Sequence, residues 1–177
     1  MKKIISVIAA MMLLLCCAAA SAEPTKITES AMGFDIDINL PEGAVYTELA
    51  TDSDITIAMI KLADETKPNF ILSFASSEEY SDESNMSDLS EEDLNALYQT
   101  IAADCDNPEM EIKKLDNNIT VMIVNDESIT NNANVFTIYR GFFIQISVIF
   151  DDLRDITDED VQTAVDLMGS LTLVEVQ

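Results

Sequence analysis

No histidine and no tryptophan occur in the 177 residues, and glycine, proline and cysteine are scarce, at four, four and three. Each shortage removes a class of chemistry. Without imidazole there is no Ser-His-acid or Cys-His nucleophile and no ordinary zinc site. Gly33, Gly43, Gly141 and Gly169 stand alone, so there is no glycine-rich loop to cradle a phosphate. The 33 Asp and Glu guarantee accidental carboxylate pairs. A sugar-cleaving pair gains no support from them, because no indole is present to stack a saccharide ring. The chain is therefore read as non-enzymatic and without a cofactor.

Positive charge is scarce too. Only 9 Lys and Arg face those 33 acids. The start, MKKIISVIAAMMLLLCCAAASAEP, sets Lys2 and Lys3 before an uncharged apolar run and closes on the small-x-small triplet Ala20-Ser21-Ala22. This is the pattern of a signal peptide, expected over residues 1–22 and cut after Ala22. The run is nearly long enough to act instead as a membrane anchor across about 30 Å of bilayer. Cys16 and Cys17 open a third route, lipid attachment. That route wants a small residue before the Cys, where this chain has Leu15 or Cys16.

Removing residues 1–22 leaves 155 residues, 23–177, the length of one domain. Seven cations then stand against 33 anions, a net charge of −26. Such a surface repels nucleic acid and anionic lipid headgroups, since binding to either needs a basic face. Partners are thus expected to be an unknown protein or envelope component, no nucleic acid, and membrane only through a lipid anchor. Cys105 is the one cysteine left, which excludes an internal disulfide. With no imidazole to activate it, it reads as an unreactive, partly buried thiol.

The apolar pattern then places the elements. Phe34, Ile36, Ile38 and Leu40 alternate with Asp35, Asp37 and Asn39, a strand stopped by Pro41-Glu42-Gly43. Further strands are predicted over 54–62 and 70–76, and a hairpin in MEIKKL and ITVMIVN around Asp116-Asn117-Asn118. The acidic, Ser-rich stretch Ser77–Asp88 has little to bury and reads as a loop, a candidate lid or arm. NVFTIYRGFFIQISVIF is the most apolar part of the mature chain, with Arg140-Gly141 as its two-residue turn. That turn sets Tyr139 opposite Phe142 and Thr137 opposite Ile144, with Phe136 and Ile138 on the other face. Both faces are then apolar, which predicts a sheet covered on two sides. Helices are predicted near residues 91–104 and 158–168, and a last strand in SLTLVEV.

Two acidic clusters, DLSEEDL and DITDEDV, share one design. Ser90 and Thr157 each precede three acids and an apolar residue. Taken as N-caps, they put the acids in the first helical turn, facing unpaired amides, where each stabilises by about 0.3–1 kcal/mol and the cap by about 1. Consecutive helical side chains fan about 100° apart, so the acids do not converge on an ion. Asp93 and Asp160 are shorter than the preferred Glu, so the reciprocal half of each capping box is expected to be weak.

Two candidate sites remain. Tyr139, Arg140, Phe142 and Phe143 crowd the hairpin tip with the residue types that anchor interfaces, and form the candidate partner-binding site. Their alternative role is the core. Asp35-x-Asp37-x-Asn39 resembles half a calcium loop, an alternative weak divalent site. It lacks the glycine and the bidentate glutamate, Leu40 and Tyr46 standing in their places. Asn85-Met-Ser87 and Asn118-Ile-Thr120 match glycosylation acceptors, a pattern common by chance.

The order of elements, GFDIDINLPEG and the closing helix into LMGSLTL resemble the PsbP-like family over about Gly33 to Val174. That resemblance implies an α+β fold, a mainly antiparallel sheet of about six strands with helices packed on both faces, and a non-enzymatic accessory or binding role. It transfers no functional residue.

Overall fold

The computed structural model describes residues 25–29, 34–51, 54–76, 84–116, 118–126, 133–150, 152 and 154–175. The expected signal peptide, Cys16 and Cys17, and Ser77–Glu83 of the acidic loop lie outside the described residues.

Among the described residues ten strands form two sheets. β3 (Val45–Thr51), β4 (Ile55–Lys61), β5 (Asn69–Ser76), β6 (Pro108–Lys114), β7 (Thr120–Asp126), β8 (Ala133–Tyr139) and β9 (Phe142–Ile149) make a seven-stranded sheet ordered β3-β4-β5-β9-β8-β7-β6. Its paired strands are antiparallel throughout. β1 (Thr25–Glu29), β2 (Phe34–Ile38) and β10 (Thr172–Glu175) make a second sheet with β2 in the middle. The helices are α1 (Glu91–Ile101) and α2 (Asp158–Gly169), with single 3₁₀ turns at Met86–Asp88 and Ala102–Asp104.

The α+β class and the antiparallel sheet agree with the sequence. The expected cover of both faces by helices must be corrected, because one helix reaches only part of each side. There are two helices longer than a turn among the described residues, and the second sheet supplies much of the cover that helices were expected to give. Sheet registers alternate side chains between faces, so β7 sends Val121 and Ile123 to one side, Met122 and Val124 to the other. On the first side Phe70, Phe74, Val135, Ile144 and Ile146 join Ile36 and Ile38 of β2 and Ala164, Val165, Leu167 and Met168 of α2. On the second, Met122, Val124, Phe136, Ile138 and Met86 meet Leu94, Leu97, Tyr98 and Ile101 of α1.

The helices differ in how firmly they are held. Fully burying a large apolar side chain gains about 1.5–3 kcal/mol, and α2 buries Val165, Leu167 and Met168 while α1 buries none of its residues. Both start as the sequence implied. Ser90 Oγ accepts from the Asp93 amide at 3.1 Å, and Thr157 Oγ1 from the Asp160 amide at 3.4 Å. The reciprocal bond expected to be weak is formed at α2, where the Thr157 amide donates to Asp160 Oδ2 at 3.0 Å. Burial of Asp160 shields that bond from water, which offsets the shorter side chain. Leu89 packs in the same cluster as Leu94, and Ile156 in the same cluster as Val161, consistent with staples at both starts.

Candidate functional site

The β8–β9 hairpin forms with the register expected, Tyr139 opposite Phe142 and Thr137 opposite Ile144. Arg140 (φ 52) and Gly141 (φ 82) occupy left-handed backbone, as a two-residue turn that matches strand twist requires. The turn is anchored from outside the hairpin. The Arg140 amide donates to Asn85 Oδ1 at 3.2 Å and the Gly141 amide to the Ser84 carbonyl at 2.8 Å.

The four tip residues do not form one surface. Phe142 is 7% exposed, stacked on Phe74 at 4.6 Å and edge-on to Phe34 at 5.5 Å. Its neighbour Phe143 points to the opposite face, 5.6 Å from Phe136. The Arg140 guanidinium lies 4.7 Å above the Phe34 ring. Tyr139, Arg140 and Phe143 stay half-exposed, whereas Phe142 serves the core.

The acidic strand is graded in burial. Asp35 is buried, Asp37 half-buried and Asn39 exposed, with the Asn39 amide donating to Ser170 Oγ at 3.0 Å. Among the described residues no group of three or more Cys, Asp and Glu is placed to hold a metal ion. Cys105 is half-buried just beyond the second 3₁₀ turn.

Two surfaces escaped the sequence. The first is the sheet margins. Val45 and Leu49 on β3, Met110 and Ile112 on β6, and Val174 on β10 are 40–57% exposed, and all five lie on strands that end a sheet. Edge strands offer unpaired amide and carbonyl groups as well as side chains.

The second is a cleft of about 720 Å³ where β4, β5 and β9 end, lined among others by Val45, Lys61, Asn69, Phe150 and Arg154. Arg154 is fixed on three sides. Its Nε donates to Asp152 at 2.7 Å, its Nη1 to the Thr66 carbonyl at 3.0 Å, and its guanidinium covers the Phe150 ring at 4.5 Å. Lys67 pairs with Glu159 at 2.8 Å, and that bond raises its pKa above the usual lysine value. Asp64 accepts from the Thr66 hydroxyl at 2.6 Å and the Thr66 amide at 2.9 Å, which lower its pKa, the hydroxyl more. Nothing local marks this cleft. The one cue is that so few cations sit beside the ends of predicted strands.

No family model matches the chain, and no curated protein matches it. Among solved structures it is similar to the solution structure of cyanobacterial PsbP (CyanoP) from Synechocystis sp. PCC 6803, with 13% identity, a TM-score of 0.49, and coverage of 89% of this chain and 96% of that one. The likeness is one of fold, weak, and to the same family that the sequence resembles.

Proposed function

We propose that the chain is an extracytoplasmic, non-enzymatic binding protein that engages a protein partner through its sheet margins. One observation carries the reading: all five large apolar side chains exposed by 40% or more, among the described residues, sit on edge strands. On a chain of net charge −24, apolar side chains left in water beside unpaired backbone groups favour an added strand over self-association, which charge repulsion opposes. In this reading the half-exposed Tyr139 and Arg140 at the hairpin tip form a second contact, with Phe143 available separately on the opposite face. Export through the leader and the absence of catalysis complete it.

The test is partner capture by the full mature chain, comparing wild type with Leu49→Lys and Ile112→Lys. Both positions are solvent-facing, so thermal melting of the variants stays within a few degrees of wild type. Loss of capture by either variant supports the proposal. Capture unchanged in both, with folding intact, refutes an edge-mediated role.

The alternative of weak calcium binding uses Asp35, Asp37 and Asn39. Melts with millimolar calcium and with chelator separate the two readings, since a ligand selective for the folded state raises the melting temperature with its concentration.

A further inference from the structure

Among the described residues four strands end a sheet, β3 and β6 in the larger, β1 and β10 in the smaller. Bulges and short length blunt an edge against pairing. β3 has a register shift between Glu48 and Ala50, β1 has one between Ile27 and Glu29, and β10 is four residues long. β6 has neither device. It pairs with β7 along all of Pro108–Lys114 without a shift. One bond fixes which way its backbone groups turn. The Leu115 amide donates to the Ile119 carbonyl at 2.8 Å in the same register, and in an antiparallel pair such bonded residues alternate with unbonded ones. Glu109, Glu111 and Lys113 therefore turn their amides and carbonyls to β7, while Met110, Ile112 and Lys114 turn theirs outward. The Pro108 carbonyl, outward by the same alternation, accepts from the Tyr98 hydroxyl at 3.0 Å.

We propose that β6 takes an added antiparallel strand from a partner protein in which apolar residues alternate with Lys or Arg. This rests on the sheet-margin reading above and narrows it to one strand and one partner chemistry. The outward amides and carbonyls of Met110 and Ile112 supply the ladder. The side chains select the partner's residues. Met110 stands opposite Val124 and Ile112 opposite Met122, both in the cluster beneath α1, so they lie on that side of the sheet, 40% and 42% exposed. Partner residues opposite them face the same way and extend that cluster, which favours apolar ones. Glu109 and Glu111 are exposed on the other side. Residues opposite these meet a carboxylate, which favours cations and disfavours acids. Glu109–Ile112 holds no cation to cancel them. Lys113 is half-buried with its Nζ donating to Gln162 Oε1 at 2.9 Å, and Lys114 stands at the end of the strand. A second copy of the chain would bring its own net charge of −24 to the edge, whereas a basic strand is drawn to it.

The probes are terminally blocked hexapeptides: Val and Lys alternating, the same composition with the lysines in one block, and Val and Glu alternating. Each is titrated into the full mature chain at about pH 7 and followed by NMR amide shifts and amide exchange. The alternating lysine peptide should bind saturably, centre its shifts on β6, and slow exchange of the Met110 and Ile112 amides more than that of Glu109 and Glu111, which already face β7. The other two peptides should bind at least about fivefold more weakly, the ratio expected for the glutamate peptide from two cross-strand charge pairs. With Glu109→Lys and Glu111→Lys together, both at exposed positions, the preference should reverse toward the glutamate peptide. Shifts centred on β3 or β10, or partner capture lost in Leu49→Lys but not in Ile112→Lys, would overturn the choice of β6 and leave the margin reading standing. Equal binding of the three peptides, an unreversed preference, no saturable binding, or a dimer forming through β6 as protein concentration rises would each overturn this inference. Only unchanged capture by both Leu49→Lys and Ile112→Lys would take the margin reading with it.

Discussion

The guanidinium of Arg140 rests 4.7 Å above the ring of Phe34, joining the tip of the β8–β9 hairpin in one sheet to the first residue of β2 in the other. The contact is held at a cost, because Arg140 has a positive φ that a side chain disfavours. The two effects are similar in size. A cation over a ring gains about 0.5–2 kcal/mol, and relief of left-handed strain by Asn or Gly is worth about 1.

Arg140→Asn is therefore expected to change stability by less than about 1 kcal/mol in urea unfolding, strain relief offsetting the lost contact. Arg140→Val loses the contact and adds a branched side chain at φ 52, and should cost about 2 kcal/mol. If Asn and Val variants melt together, the balance described here is wrong.

Phe142→Ala removes a buried ring stacked between Phe74 and Phe34, and should destabilise by about 3–5 kcal/mol. Phe143→Ala removes a half-exposed ring and should cost less than half of that. Chemical denaturation of the two variants side by side reads the difference.

Thr157→Ala should lower global stability by about 1 kcal/mol, because α2 is bound into the core and its cap is part of that packing. Ser90→Ala removes an equivalent cap from a helix with no buried residue. Its effect should appear first as faster amide exchange within α1, with a smaller change in global unfolding.

Asp126 is 6% exposed and accepts the amides of Asp106 at 3.0 Å and Asn107 at 3.3 Å, which ties the segment after α1 to β7. Asp126→Ala leaves these donors without their carboxylate and should cost about 1–3 kcal/mol, with Asp126→Asn intermediate. Equal stability of all three proteins would contradict the anchoring role.

Asp64 titrates below its ordinary 3.8, chiefly through the Thr66 hydroxyl. A depressed carboxylate pKa stabilises the fold above the unfolded value, and the contribution disappears as pH falls through the folded one. Thr66→Val should therefore move the Asp64 carboxyl midpoint upward in an NMR titration. A midpoint that stays put would show that the backbone amide alone sets it.

Much of the local structure was legible because it is written in neighbouring residues. The hairpin register around Arg140-Gly141 follows from period-two alternation and one turn, and the two helix starts from Ser90 and Thr157 followed by acids. β3 was not legible, because nearly all of Val45–Thr51 is exposed and it carries no alternation that burial would impose. The partition of Tyr139, Arg140, Phe142 and Phe143 between faces could be read from their spacing, but not that Phe34 would reach over to meet two of them.

The amino-acid order by itself determined the α+β class, the non-basic surface, the helix caps and the central hairpin, all of which depend on residues within a few positions of each other. Tertiary structure alone decided that β2 leaves the main sheet to pair with β10, as in Asp37 opposite Thr172, more than 130 positions away. It also decided that Lys61, Lys67 and Arg154 share one cleft. Such neighbours meet only after the chain closes long loops around a buried core, and no local pattern specifies which distant partners that closure brings together.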